Sequence, residues 1–561
     1  MVRIAILADP HFHDVDFDPA GEGGGPNGLR TLVDTTESTR IFNESGPAFR
    51  AALDDVVARG ISLVVIAGDL TDDGQVFNWR TVNALLDEYR ARGLRFYATP
   101  GNHDLFAMAG RNHDKRFLLP DGSNRLVSSN ASSGAEVIAA EMYCPGYPDV
   151  MPMMADLGYV PGPGDLHWES PFGTKSDWDA RSYQVRSPDG GTIETMLDAS
   201  YLVEPIEGLW LLSLDANVYR PNDRSAVEAG APAFRDCTDV GWNAVLTDKP
   251  HLLTWAADVA QRARQQGKRL VAFSHYPVVD PLNGSAEDER SLLGDTGFVR
   301  RMPEPAVAAA LAAAGIGVHF SGHWHINNTA SYRGATGSIV NVAVPSLVAY
   351  PPGYKLVDID PNGLQIETVS VREAPGYDVA FDGYAAEAQR DGLAAEALFQ
   401  AASHGAFIDA HLHALVQHRY LPKEWPADLA RLVPLLSLDA VAQLADAEPI
   451  SSTALNPLPL AGAPSLFDLV VDWYALRKGA DIAKSAIPAE RMAHYRSLIG
   501  SYGRRQWPEG SLQRQLGLLL SIMERYLQRE PSLAFHIAQP GGAVSLSAAV
   551  PISARRELAE M

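Results

Sequence analysis

The chain has 561 residues, of which 46% are hydrophobic and 20% charged, with a formal net charge of −22 and a pI of about 5.1. That length exceeds what a single core serves, so two or more domains are expected. The acidic balance argues against nucleic-acid polymers and anionic membranes as partners, but leaves small anions open, because bound cations would dominate the local field.

Residues 3–8 open the chain as a short strand. A helix is predicted over 47–59, with Phe49, Leu53, Val56 and Val57 on one stripe, Ser45 as its cap and Gly60 at its end. A strand at 62–67 follows. Val82, Leu85, Leu86 and Tyr89 then mark a second helix, closed by Gly93, before a strand at 95–99. Such strand–helix–strand units predict an α/β architecture, a mixed or parallel sheet with helices on its faces. From about 105 to 200 the pattern gives way to Gly-, Pro- and aromatic-rich text, read as an insertion that caps a site. A strand at 209–214 ends at Asp215, and a shorter insertion spans about 218–250. Leu252, Trp255, Ala256 and Val259 mark another helix. A strand at 270–274, a helix at 305–314, a strand at 317–321 and alternating strands from 338 to about 371 complete a first domain, residues 1–375. Pro375-Gly376 is the expected boundary to a mainly α-helical C-terminal domain, 376–561. Within it, a Pro-rich hinge is expected at 456–464, and Leu516, Leu519, Leu520, Met523 and Leu527 predict a long packed helix.

Two cysteines, Cys144 and Cys237, exclude a disulfide framework or a cysteine-ligated zinc and point to a reducing compartment. The first residues read as a strand rather than as a secretory leader. No apolar run reaches about 18 residues, so no membrane span is predicted. The expected location is cytoplasmic.

Five short packets, each placed just after an apolar run, carry the chemistry: Asp9-Pro10-His11, Gly68-Asp69, Gly101-Asn102-His103-Asp104, His275 and Gly322-His323-Trp324-His325. Carboxylates and imidazoles converging from strand ends suit zinc, iron or manganese, and the lack of thiolates argues against a structural zinc. Asp9 and His11 stand two apart, so an extended segment projects them to one side, and Pro10 biases Asp9 toward extension. Asp69 follows a wholly apolar strand, where an unpaired carboxylate is costly to bury. A Gly before each of Asp69, Asn102 and His323 permits a sharp turn and a close approach.

Together the packets resemble the signature of the calcineurin-like metallophosphoesterases, with a pattern similar to that of the class III cyclic-nucleotide phosphodiesterases. The resemblance implies a two-sheet sandwich flanked by helices and two metal ions (manganese, iron or zinc). It assigns Asp9, His11 and His325 to one ion, Asn102, His275 and His323 to the other, and Asp69 as a bridge. It also implies attack by a metal-bridging hydroxide, with His103 as the proton donor and Asp104 orienting it. Two ions activating water, with a histidine protonating the leaving alkoxide, are what phosphoester hydrolysis needs.

Several other residues are set aside. Arg111-Asn112-His113-Asp114 echoes a packet but lacks the preceding strand, and Asp409-Ala410-His411-Leu412-His413 reads as an ordinary helix. His13 and Asp14 read as a solvated loop. His167, Trp168 and Glu169 read as insertion residues, and Trp324 as packing. The favoured activity is a phosphodiesterase acting on a small-molecule phosphate ester. No Arg cluster follows the packets to hold a monoester dianion, which favours diesters. The alternatives are a phosphomonoesterase or nucleotidase, a protein phosphatase, and a non-catalytic scaffold of the same fold. Residues 376–561 are expected to cover the pocket, pack on the first domain or form a homo-oligomer interface.

Overall fold

A computed structural model describes residues 2–23, 25–239, 241–455, 464–538 and 545–549. The proline-rich stretch expected at 456–464 lies outside the described residues except for Pro464. In chain order the strands used below are β1 (Val2–Leu7), β2 (Leu63–Ile66), β3 (Arg95–Ala98), β4 (His167–Glu169), β5 (Tyr201–Ile206), β6 (Leu209–Ser213) and β7 (Arg269–Phe273). They continue as β8 (Val318–Ser321), β9 (Asn328–Gly334), β10 (Gly337–Ala343), β11 (Gly353–Asp360), β12 (Gly363–Ser370), β13 (Ala534–Ala538) and β14 (Ser545–Ala548).

Two seven-stranded sheets result, ordered β14-β13-β12-β11-β1-β2-β3 and β9-β10-β8-β7-β6-β5-β4. In the first, β1, β2 and β3 run parallel; in the second, β6, β7 and β8 do. Every residue of β2 and of β6 is buried, as expected of central strands covered on both faces. The sheets share one core and touch through Ala98, whose carbonyl accepts hydrogen bonds from Ser213 and Tyr201 of the opposite sheet at 3.3 and 2.8 Å.

Helices cross between the parallel strands. After the short α1 (Leu32–Glu37), α2 (Ser45–Ala58) buries Ala48, Phe49, Ala52, Leu53 and Val56. α3 (Val76–Ala91) buries Trp79, Val82, Leu85, Leu86 and Tyr89. Ser45 is the first helical residue rather than the cap: Glu44 precedes the helix, and the Ser45 hydroxyl accepts from the His13 amide at 2.9 Å. α4 (Pro250–Gln265) and α5 (Pro305–Ala313) fall where the apolar spacing placed them. The stretch from 105 to 200 is more regular than its composition implies. It holds a three-stranded sheet (Asp114–Leu118, Asn124–Ser128, Val137–Ile138) and a hairpin (Ser182–Arg186, Ile193–Leu197).

The C-terminal region is mainly helical, including α6 (His404–Leu415), α7 (Leu466–Gly479) and α8 (Leu512–Leu527). Its own apolar cluster also takes in Leu282, Leu292 and Leu293 from the first half. The chain then returns to the first sheet, where β13 pairs antiparallel with β12. Beside that return, the buried Lys355 ammonium donates to Asn327 Oδ1, Thr368 Oγ1 and the Ser532 carbonyl at 2.5, 2.7 and 2.9 Å. Among the described residues, no helix is long and apolar enough to cross a membrane.

Truncation at residue 376 removes β13 and β14 and uncovers the face on which the helices pack. The expected result is aggregated protein, or a thermal midpoint lowered by more than about 5 °C. Sedimentation and thermal unfolding of the 1–375 fragment measure this. A monodisperse fragment melting with the full chain would contradict it.

Candidate metal centre

The five packets lie at the carboxyl ends of parallel strands β1, β2, β3, β7 and β8, the edge at which open α/β sheets bind ligands. The first two are zipped together beyond their strands. The amides of Asp9, His11 and Phe12 donate to the carbonyls of Gly68, Asp69 and Leu70 at 3.0, 3.0 and 2.8 Å.

Among the described residues, eight non-glycine residues have positive φ, and five of them are Asp9 (49°), His11 (45°), Asp69 (51°), His323 (74°) and His325 (51°). Asp9 is therefore not extended, contrary to the expectation from Pro10. Its amide bond to Gly68 and the bond from Ser346 Oγ to its carbonyl (2.7 Å) hold it in the left-handed region instead. Each such residue costs on the order of 1–3 kcal/mol, which persists only where surroundings enforce it, and such strain gathers at functional sites.

The glycines act by absence. A Cβ on Gly101 would stand 2.1 Å from Asp69 Oδ1, and one on Gly322 would stand 2.3 Å from Asp9 Oδ2. On Gly68 it would meet His275 Nδ1 at 2.5 Å.

The side chains meet in two adjoining groups. In one, His11 Nε2 lies 2.9 Å from His325 Nε2, and Asp9 Oδ1 lies 3.6 and 4.0 Å from the His325 and His11 nitrogens. In the other, Asn102 Oδ1 lies 3.0 Å from both His275 Nε2 and His323 Nδ1, which are 3.3 Å apart. Asp69 Oδ2 faces both groups, 3.1 Å from His275 Nε2 and 3.6 Å from His11 Nε2. Its other oxygen accepts from the His103 amide at 2.8 Å, and both Asp9 oxygens accept from the His323 amide at 2.9 and 3.0 Å. His275 Nδ1 lies 3.0 Å from the Ala67 carbonyl; donating there leaves Nε2 as a lone pair.

This donor set fits a pair of cations. The converging atoms are carboxylate or amide oxygens and ring nitrogens. Ligands held about 2.1 Å from one centre stand about 3.0–3.4 Å apart, close to the spacing seen here. The ionisation pattern agrees. Burial pushes Asp9 well above the usual carboxylate range and His11, His323 and His325 well below the usual histidine range. Burial also pulls His275 down, but the charge and hydrogen bond of Asp69 outweigh it and raise His275 to about 9. Without added positive charge, the cleft keeps three imidazoles neutral and makes a proton on His275 do the work of a cation.

His103 stands beside this set, its ring centroid 5.0 Å from that of His11. Its Nδ1 lies 2.5 Å from Asp73 Oδ1, so Asp73, not Asp104, orients the ring. Asp104 is fully buried and accepts from the amides of Thr71 and Gly101 at 3.0 and 2.9 Å and from Thr71 Oγ1 at 3.1 Å. It braces the turns that carry Asp69 and Asn102. Burial and the nearby charge of Asp69 raise it to about 6.

Residues outside the packets complete the surroundings. Arg30 and Arg40 donate to Asp72 at 3.1 and 2.7 Å, Lys115 pairs with Asp73, and Arg40 lies 3.6 Å from Asp73. Burial would raise Asp73, but Lys115, His103 and Arg40 hold it well below the carboxylate range. Asp73 had one sequence signal, as the second carboxylate of Asp72-Asp73 just beyond Asp69; Arg40 and Lys115 had none. Tyr276 packs its ring 4.6 Å from His323 and donates to Asn217, which in turn donates to the Gly101 carbonyl at 3.1 Å.

The residues set aside earlier mostly stay out. His411 and His413 sit in α6, and His411 Nε2 lies 2.9 Å from the Thr35 carbonyl. His167 and Glu169 pair on edge strand β4 at 2.9 Å. His13 departs from expectation: it is 2% exposed, its Nε2 lies 2.7 Å from the Gly28 carbonyl, and burial lowers it to about 4.

Residues 2–155 match the family model described as calcineurin-like phosphoesterase. Among solved structures, the chain is similar to a dimetal phosphatase from Danio rerio, at 12% identity over 66% of this chain and 96% of that one, with a TM-score of 0.35. It is also similar to the purple acid phosphatase PPD1 from yellow lupin seeds, at 11% identity over 66% and 51% of the two chains, with a TM-score of 0.32. No curated protein matches the sequence. The family match falls on the segment that supplies Asp9, His11, Asp69, Asn102 and His103, so that part of the chain is similar to a calcineurin-like phosphoesterase.

Proposed function

We propose that the protein is a phosphodiesterase of small molecules that uses two metal ions, among manganese, iron and zinc. In this reading Asp9, His11 and His325 hold one ion, Asn102, His275 and His323 hold the other, and Asp69 serves both. The observation that carries it is the single Asp69 oxygen facing both donor groups, 3.1 Å from His275 and 3.6 Å from His11. When bound, such a pair lowers the pKa of water and neutralises charge developing on the phosphoryl group.

The chain's own residues then handle the proton. Asp73 is anionic, so His103 donates to it through Nδ1, and Nε2 is the nitrogen left to protonate a departing alkoxide. Lys115 and Arg40 keep that carboxylate in place.

Preference for diesters rests on the same cations. A monoester dianion calls for additional free cationic donors, whereas Arg30, Arg40 and Lys115 already pair with Asp72 and Asp73. Phosphomonoesterase activity is the alternative, and a screen of mono- and diesters with added manganese separates the two.

His103→Ala is expected to slow turnover about 100-fold or more on alkyl esters but less than about tenfold on 4-nitrophenyl esters, whose leaving group needs no proton. Equal losses on both would exclude the donor role. The two carboxylates near His103 are expected to divide their effects. Asp73→Asn lowers kcat about 10–100-fold. Asp104→Ala strips an acceptor from two amides and a hydroxyl and lowers stability by about 1–3 kcal/mol. Paired kinetics and thermal melts check this, and a kinetic defect confined to Asp104→Ala would reverse the assignment.

A further inference from the structure

Three buried polar residues, Asn217, Tyr276 and Cys237, adjoin the Asn102, His275 and His323 donors, and none of them is itself a candidate ligand. Asn217, just beyond the end of β6, is 1% exposed, and its Nδ2 donates to the Gly101 carbonyl at 3.1 Å. Its Oδ1 accepts from the Tyr276 hydroxyl at 3.0 Å and from the Cys237 thiol at 3.4 Å. One end of the side chain thus holds the backbone that carries Asn102, and the other holds the residue that follows His275.

Those two contacts bear on all three donors of one group. Asn102 Oδ1 stands 3.0 Å from both His275 Nε2 and His323 Nδ1. The Tyr276 ring meets both imidazoles edge to face, with centroids 5.1 and 4.6 Å from those of His275 and His323. Gly101 has little freedom elsewhere: a Cβ on it would strike Asp69, and its amide donates to Asp104 at 2.9 Å. Asn217 ties down the remaining polar group of that peptide, the carbonyl, whose other contact is the longer one from the Asp104 amide at 3.3 Å. Among the described residues, no hydrogen bond of the Asn217 or Tyr276 side chain runs to Asp9, His11 or His325.

Asn217 is itself fixed by both insertions. Its backbone amide donates to Asp215 Oδ1 at 3.0 Å. The other Asp215 oxygen accepts from the Tyr147 hydroxyl and the Ala199 amide at 2.9 and 3.0 Å and lies 3.2 Å from the Lys249 ammonium. Tyr147 and Ala199 belong to the stretch from 105 to 200, and Cys237 and Lys249 to the shorter insertion. All of these side chains are buried. Partners of this kind hold metal ligands in one orientation, so their loss is read in metal affinity.

We propose that Asn217 is a positioning residue for one ion of the pair, the one held by Asn102, His275 and His323. Tyr276 extends its hold from the Asn102 turn to the two histidines. The insertions thereby take part in the metal centre, because they fix the amide that sets that turn. The proposal rests on the two-ion reading above and adds an asymmetry to it: the ion held by Asp9, His11 and His325 does not depend on Asn217.

Equilibrium dialysis of the full chain against graded manganese, with bound ions counted by mass spectrometry, measures both affinities. N217A is expected to weaken one ion about 10–100-fold and to leave the other within about twofold. Y276F removes a hydroxyl and keeps the ring; it weakens the same ion about 3–10-fold and serves should N217A fail to fold. H323A identifies the ion, since in that background N217A is expected to leave the affinity of the ion still bound unchanged. Equal weakening of both ions by N217A, or further weakening in the double variant, would overturn the proposal. Wild-type affinities for both ions in N217A and Y276F would also overturn it. A wild-type chain that binds fewer than two ions would instead overturn the two-ion reading.

Discussion

Seven side chains in this protein turn oxygen and nitrogen atoms toward one another at one cleft. Two carboxylates, one amide oxygen and four imidazoles meet within about 3–4 Å. Such a set is unfavourable alone and favourable around positive charge. The demand for cations is therefore built into the folded chain, and much of the local backbone serves it. Five candidate ligands occupy the left-handed region, and three glycines vacate the volume that ligand atoms fill. Asp104 accepts amide hydrogen bonds from two of the turns involved.

The remainder of the fold makes that arrangement rigid. Parallel strands from two sheets end at one cleft, so ligands far apart in sequence arrive with fixed spacing. Helices α2 and α3 cover one sheet, and the C-terminal region locks the last packet through Asn327 and Lys355. Around His103 three carboxylates, Asp34, Asp72 and Asp73, pair with three cations, Arg30, Arg40 and Lys115. This lets a histidine be held by an anion without drawing a negative substrate away from the metal side.

Much of the centre was legible in the sequence because each ligand follows an apolar strand, and strand ends are where such chemistry gathers. Gly68, Gly101 and Gly322 were readable for the same reason: nothing larger fits beside the carboxylates and rings they face. Asp104 was misjudged because adjacency in the chain is not adjacency in space. In a tight turn consecutive side chains diverge, so its carboxylate points back to the Thr71 and Gly101 amides while Asp73 reaches His103. Arg40 and Lys115 were invisible, since a lone cation in a loop or strand acquires meaning only from what folds against it. The return of β13 to the first sheet escaped notice for a related reason. A short apolar strand after a run of helices does not reveal which distant edge it will join.

The central claim is that Asp69 and its six companions hold two ions through one shared carboxylate, and elemental analysis tests it most directly. Wild-type protein purified with manganese and gel-filtered should retain close to two transition ions per chain by mass spectrometry, and Asp69→Ala should lose most of both while keeping its circular dichroism. Full occupancy in the Asp69→Ala variant, or less than one ion in the wild type, would contradict the account.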